Sequence, residues 1–473
     1  LGYLIIDDPD RILPLAESME RYQPERVNPP GTHTAYSNYA TALAGLIVSN
    51  VSGVSFNDYI QQNIFDPLGM KSSSFIEPLP AALAEHMALS YNADAGKFVE
   101  KPYEIIANFG PAGAEAATAT DMLRFAQALL NGGELNGHRI LQQKTVEEMM
   151  SRHFSHDDRL MGMGLGIYET DIEGVRVMGH GGDTQWFHSE LGIDQEHGLV
   201  FFASFGAPGG SYVRGAVLPT FYKEYFPRVE APPVPPKDFS ERAGKYAGSY
   251  GFWRSNFSRI EKVASVVGGV KVVPTEDNTL VITLGGKAKQ YVEVGDNLFR
   301  ELDPGFSLIA GISPRLVAFQ QDSSGAVTGF VLDGLPFMSL RKLPFYEGSD
   351  FNLSLLGFSV LIFLGVLLRR FFQRTAIKSI SSTDRTAISS AVYAAGLNVL
   401  VLVAGGIVIL ITKDTLFTEI PLLLKLWLVL PIIATLAGLY LLYRTWGVWK
   451  QGLLAGNWAR IRFTVVTACA LFM

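Results

Sequence analysis

The chain has 473 residues, enough for two or three domains, and its 48% apolar content is high for a soluble protein. A formal net charge of −6 argues against nucleic acid as a partner. The single cysteine, Cys469, lies in an apolar run, which excludes a disulfide framework, a cysteine-based metal site and a thiol nucleophile with room for a triad.

Residues 1–28 read as a loop and a short helix. Pro29-Pro30-Gly31-Thr32-His33-Thr34-Ala35-Tyr36-Ser37-Asn38 then reads as a turn that presents a tyrosine and an asparagine at the mouth of a helix. Ala40, Leu43, Ala44, Ile47, Val48 and Val51 fall at helical spacing, and Gly53 follows as a stop. Ser55 with Asp58 is a capping-box pattern that opens a second helix, closed by Pro67. Gly110-Pro111-Ala112-Gly113 is a turn. Thr118 with Asp121 caps a helix carrying Met122, Ala126, Leu129 and Leu130, and Thr145 with Glu148 caps a shorter one.

From Gly162 the period changes to two. Strands are expected at Gly164–Tyr168, Val175–Met178, Ser189–Ile193 and Leu199–Phe205, the last two forming a hairpin, with an aromatic-rich helix over Tyr212–Phe226. Helices followed by an antiparallel sheet argue an α+β fold. Pro232-Pro233-Val234-Pro235-Pro236 is a stiff linker, placed at 229–237. Residues 238–345 hold short strands with glycine turns between them, a pattern of a small all-β barrel or sandwich, lipocalin-like in outline.

Phe351–Leu368, Ala387–Ile411 and Pro421–Tyr443 are long enough and apolar enough to span a membrane, and a further apolar span begins at Phe463. Arg369, Arg370, Arg374, Lys378 and Arg385 follow the first span, and Arg444, Lys450, Arg460 and Arg462 follow the third. The loop between the second and third holds Lys413. Cations favour the cytoplasmic side, so residues 1–350 are expected outside the cytoplasmic membrane.

Residues 29–75 resemble the serine β-lactamase/penicillin-binding protein superfamily, in its class C β-lactamase-related group of esterases, D-amino-acid peptidases and penicillin-binding proteins. Pro30-Gly31-Thr32, Tyr36-Ser37-Asn38, Leu43-Ala44-Gly45 and Asp66-Pro67-Leu68-Gly69-Met70 carry the likeness, which covers about residues 1–226. That family has three site elements: Ser-x-x-Lys, Tyr-x-Asn, and Lys-Thr-Gly or His-x-Gly. Tyr36-Ser37-Asn38 resembles the second, and His180-Gly181-Gly182 the third. The resemblance implies acyl transfer without a metal or organic cofactor, on a small-molecule or peptide substrate. Tyr36 would be the general base or proton relay, and Asn38 would position a lysine and the substrate. Gly181 and Gly182 would form one wall, and the Asp183 N–H would be an oxyanion donor.

Ser-x-x-Lys belongs upstream of Tyr36, and no serine among the preceding residues is followed by lysine at that spacing. The one match, Ser339-Leu340-Arg341-Lys342, falls in an expected strand, where positions i and i+3 face opposite ways. The nucleophile is therefore expected to lie outside this sequence, and the chain is expected to be an inactive internal fragment. His180 in place of lysine is mostly neutral at pH 7, a weaker anchor for a carboxylate. That tilts the expectation from β-lactams towards esters, amides or peptides. Trp186, Phe187 and His188 line the pocket or belong to the core. His153-x-x-His156-Asp157-Asp158 reads as a solvated loop rather than a metal site. Two rivals to the hydrolase remain: a non-catalytic sensor of the same fold, and a membrane-bundle protein with the outer domain as scaffold.

Overall fold

A computed structural model describes residues 4–266, 268–303, 314–373, 381–413, 415–416 and 418–473. Arg374 and Lys378 of the basic loop lie outside the described residues. Backbone contacts divide the chain into two compact units, Ile6–Ser349 and Asp350–Met473, the latter with Leu1–Ile5.

In the first unit, helix α1 (Asn38–Ser52) starts where the Ser37 hydroxyl accepts the Ala40 N–H at 3.1 Å, and ends at Gly53 in the left-handed conformation. Gly45 in its middle is required, because a methyl group there would overlap Pro111. That close approach seats the Pro111-Ala112-Gly113 segment on α1. The next helical stretch, Phe56–Leu68, opens at Ser55 as expected but runs through Pro67 to a left-handed Gly69. Helix α2 (Ala119–Leu130) is capped by Thr118. Thr145 is not a cap: its helix begins at Gln143, and Thr145 lies inside the first turn.

The sheet has four antiparallel strands in sequence order: β1 (Tyr168–Ile172), β2 (Val175–Asp183), β3 (His188–Asp194) and β4 (Leu199–Phe205). The strand expected at Gly164–Tyr168 begins only at Tyr168. Gly164 N–H closes a tight loop onto the Ile167 carbonyl, and Gly166 is left-handed. Helix α2 and helix α3 (Gly210–Tyr225) cover the two faces. Ala126 and Leu129 of α2 pack with Met178, Leu191 and Ile193, and Leu218 and Tyr222 of α3 with Ile172, Val175 and Val177. This is the α+β arrangement that the resemblance implies.

After the proline-rich segment, eight strands form a closed antiparallel barrel: β5 (Gly248–Phe252), β6 (Val270–Pro274), β7 (Leu280–Leu284), β8 (Lys287–Gly295), β9 (Leu298–Glu301), β10 (Leu316–Gln321), β11 (Val327–Leu332) and β12 (Ser339–Lys342). They follow one another around the barrel, and β12 pairs back onto β5. The short β9 carries only four residues and gave no alternating signal of its own. An eight-stranded barrel is just wide enough for side chains to fill it. Tyr246, Tyr250, Tyr291, Phe299 and Phe330 do so, all with no solvent exposure.

The second unit is helical: α4 (Ser349–Phe372), α5 (Ser382–Thr412), α6 (Leu422–Trp427), α7 (Val429–Lys450) and α8 (Asn457–Phe472). Three stretches, Ser349–Phe372, Ser382–Thr412 and Leu422–Lys450, are long and apolar enough to cross a membrane. Their contacts use small and hydroxyl residues, as close helix packing in lipid favours. Ala387, Ala391, Ala394 and Ala395 of α5 are buried among Phe363, Leu441 and Val448, and Thr445 meets Thr467 at 2.7 Å.

Candidate active site

The turn before α1 delivers Tyr36 half-buried beside the end of β2. Its ring lies 5.9 Å from that of His180. The Tyr168 ring lies 5.4 Å from His180 on another side. Tyr36, Asn38 and His180 thus come from the two elements the sequence singled out. Asn38 is the first residue of α1, half-buried, and its carboxamide has no hydrogen-bond partner among the described residues.

The geometry of β2 sets the wall. On one side it pairs with β3 along its length, from Met178↔Ile193 to Asp183↔His188. On the other it pairs with β1 only as far as Tyr168↔Gly179. Residues 180–183 therefore keep one open edge. The Gly181 N–H points out of that edge and donates to the Tyr168 hydroxyl at 2.8 Å. Successive residues of a strand send their N–H groups to opposite edges, so the Asp183 N–H, two residues on, shares the edge of Gly181. The turn beyond is pinned by Glu104, whose carboxylate accepts the N–H groups of Gln185 and Trp186 at 2.9 and 3.1 Å.

The barrel contributes the third side, which sequence reading missed. Phe337 packs 5.7 Å from the Tyr36 ring and 4.9 Å from Tyr168. Arg254 lies over the Tyr36 ring at 5.1 Å, and its Nε donates to the Tyr36 carbonyl at 2.9 Å. The Tyr36 N–H donates to the Phe337 carbonyl, and Thr34 Oγ1 to the Pro336 carbonyl at 2.9 Å. His33 stacks on Trp253 at 4.1 Å. His156 is not in a solvated loop: its Nε2 lies 3.2 Å from the Thr34 N–H, inside this contact. No local pattern marks Arg254 or Phe337, since both meet Tyr36 only when the barrel docks.

Electrostatics follow from burial. Burial raises the Tyr36 phenol above its ordinary value, and the nearby Arg254 cation offsets this only in part. Tyr36 is accordingly a neutral phenol at pH 7, able to donate or relay a proton. Burial also lowers His180, and the Arg214 charge lowers it further, so the imidazole is neutral. Asp183 is tied back: Arg214 Nη2 reaches it at 2.8 Å and His188 Nδ1 at 2.6 Å. His188 is buried and belongs to this contact, whereas Trp186 carries the Lys101 ammonium over its ring. The Ser339 hydroxyl is buried in the barrel wall, and Lys342 donates to the Lys245 carbonyl at 2.7 Å, so these two do not form a nucleophile pair.

Residues 3–213 match the family described as Beta-lactamase. Residues 3–213, less than half of the chain, thus match the serine β-lactamase/penicillin-binding protein superfamily. Among curated superfamily relatives, it is 27% identical over 240 residues to "Penicillin-binding protein 4" of Amycolatopsis lactamdurans, covering 46% of this chain and 60% of that protein. It is 26% identical over 168 residues to a "Beta-lactamase" of Yersinia enterocolitica, covering 35% of this chain and 40% of the other. Among solved structures it resembles an octameric penicillin-binding protein homologue from Pyrococcus abyssi, at 19% identity and a TM-score of 0.39, covering 70% of this chain and 72% of that one. The chain thus spans less than two thirds of the length of these curated relatives. Members of this superfamily are serine hydrolases, and the Beta-lactamase match ends before the barrel, so Arg254 and Phe337 stand outside it.

Proposed function

We propose that this chain carries most of an acyl-transferring serine hydrolase site, held outside the cytoplasmic membrane of a bacterium by its multi-pass helical unit. The observation that carries the reading is the 5.9 Å approach of Tyr36 to His180 at the open edge of β2. In this scheme a serine attacks an ester, amide or peptide carbonyl and forms an acyl-enzyme, which water then releases. Tyr36, a neutral phenol, passes the serine's proton towards the leaving group. Asn38 orients the nucleophile's lysine and the substrate through its free carboxamide. The substrate lies along Gly181 and Gly182, with the Asp183 N–H turned to the developing oxyanion. The serine and lysine of this scheme are those of a Ser-x-x-Lys element, which residues 1–35 do not contain. Membrane attachment is supported by the three apolar helices, and by exposed Phe345 and Tyr346 just ahead of α4, where interfacial aromatics are favoured.

The test is labelling by a fluorophosphonate. Residues 1–473 alone should not label, and a chain extended upstream by a Ser-x-x-Lys segment should. In the extended chain, Tyr36→Phe should cut turnover about 10²–10⁴-fold with the melting temperature almost unchanged. A silent Tyr36→Phe, or labelling of the unextended chain at Ser339, would overturn the assignment.

A further inference from the structure

The His180-Gly181-Gly182 element is followed by an aspartate whose own N–H faces the open edge of β2, a poor place for a negative charge if an anionic oxygen is to bind there. The back of the strand resolves this. Arg214 of α3 is 5% exposed and reaches Asp183 through Nη2 at 2.8 Å and Nε at 3.2 Å. Its Nη1 reaches Glu190 of β3 at 2.5 Å. His188 Nδ1 adds a contact to Asp183 at 2.6 Å. One guanidinium thus bridges carboxylates from two strands, in the forked geometry that arginine favours. A methyl group on Gly181 would overlap Arg214 Nη1, so glycine at that position makes room for the guanidinium. Gly210, at the start of α3, similarly lets the His188 ring close in.

We propose that Arg214 is a positioning residue that draws the Asp183 carboxylate onto the back of β2 and offsets its charge, leaving the edge at 181–183 able to receive an anionic oxygen. This rests on the reading of that edge as the substrate wall. Arg214 touches no substrate. It acts through Asp183 and through the spacing of β2 on β3.

The experiment compares R214Q, R214K and the triple variant D183N/E190Q/R214Q in the upstream-extended chain. R214Q leaves two carboxylates without their cation, and should lower turnover roughly 10²-fold with KM nearly constant. R214K keeps the charge but loses the fork, and should fall between the parent and R214Q, serving also where R214Q is too unstable to assay. The triple variant removes all three charges and should recover most of the turnover that R214Q loses. A silent R214Q, a triple variant as slow as R214Q, or an R214K as slow as R214Q would overturn the proposal. If the parent hydrolyses no ester, amide or peptide, the reading of the site falls. The clamp is then judged by amide hydrogen exchange at 180–183 in the same proteins. Faster exchange in R214Q, restored in the triple variant, upholds it, and unchanged exchange overturns it.

Discussion

Arg254 of the barrel sits over the ring of Tyr36 and donates a hydrogen bond to the carbonyl of the same residue. One side chain therefore fixes both the backbone and the electrostatic surroundings of a residue that lies 218 positions earlier in the chain. A cation over a ring at a partly exposed site is worth about 0.5–1 kcal/mol. Arg254→Leu should therefore slow turnover in the extended protein about two- to fivefold. Spectrophotometric titration should show the Tyr36 phenol rising further, since the cation that lowers it is gone. An unchanged rate and titration would mean that the barrel only props the turn.

His180 makes a prediction about substrates. A neutral imidazole gives little hold on a substrate carboxylate, so short-chain ester hydrolysis should exceed β-lactam hydrolysis. His180→Lys should move the preference towards carboxylate-bearing substrates, read as a change in the ratio of kcat/KM values. Efficient β-lactam turnover by the unmodified protein would count against the expectation.

The contact between the barrel and the Tyr36 turn should weaken in acid. Burial pushes His156 down to about 4, with the neighbouring His33 adding to the shift, and burial lowers His33 as well. Nε2 of His156 accepts the Thr34 N–H, and a proton there would set two donors face to face. Unfolded histidine takes its proton near 6.5, above the folded value, so stability falls as pH drops from about 6.5 towards 4. The loss should be on the order of 2 kcal/mol. Half-buried Glu77 and Glu115, both pushed up to about 7, act in the opposite sense, so the measurement is a difference. The parent's melting temperature should drop more than that of His156→Gln over this range. Parallel curves would refute the assignment.

Orientation in the membrane is open to a direct experiment. A reporter fused after Asp350 should be extracytoplasmic, and one fused at Gln373 cytoplasmic, because Arg369 and Arg370 close the first span and Arg385 opens the second. The reverse pattern would put the proposed site on the wrong side.

Much of this fold is written in local pattern. Gly53 stops α1 and Thr118 caps α2 as their neighbours demand, and the glycine pair Gly285-Gly286 turns the chain between β7 and β8 with both φ values positive. The Tyr-x-Asn and His-Gly-Gly elements were legible because each is a short string of special residue types. Thr145 misled because a threonine three residues before a glutamate also occurs inside a helix, and that one begins at Gln143. Arg254, Phe337 and Arg214 were illegible for a different reason. Each is an ordinary residue of a strand edge, loop or helix, and its partner lies tens to hundreds of residues away. Arg214 in particular reads as a polar residue in an aromatic helix until β2 and β3 bring Asp183 and Glu190 beneath it.

The distance in sequence between the Tyr36 turn and the barrel has a consequence for biosynthesis. Thr34 bonds to a carbonyl 302 residues further on, and the last strand of the barrel ends only at Lys342. At the usual pace of about 5–20 residues per second, a ribosome needs roughly 15–60 s to make that stretch. Through this interval the Tyr36 turn is exposed without its third wall. A nascent chain stalled before the barrel would carry Tyr36 and His180, yet lack the surface that holds Tyr36 in place.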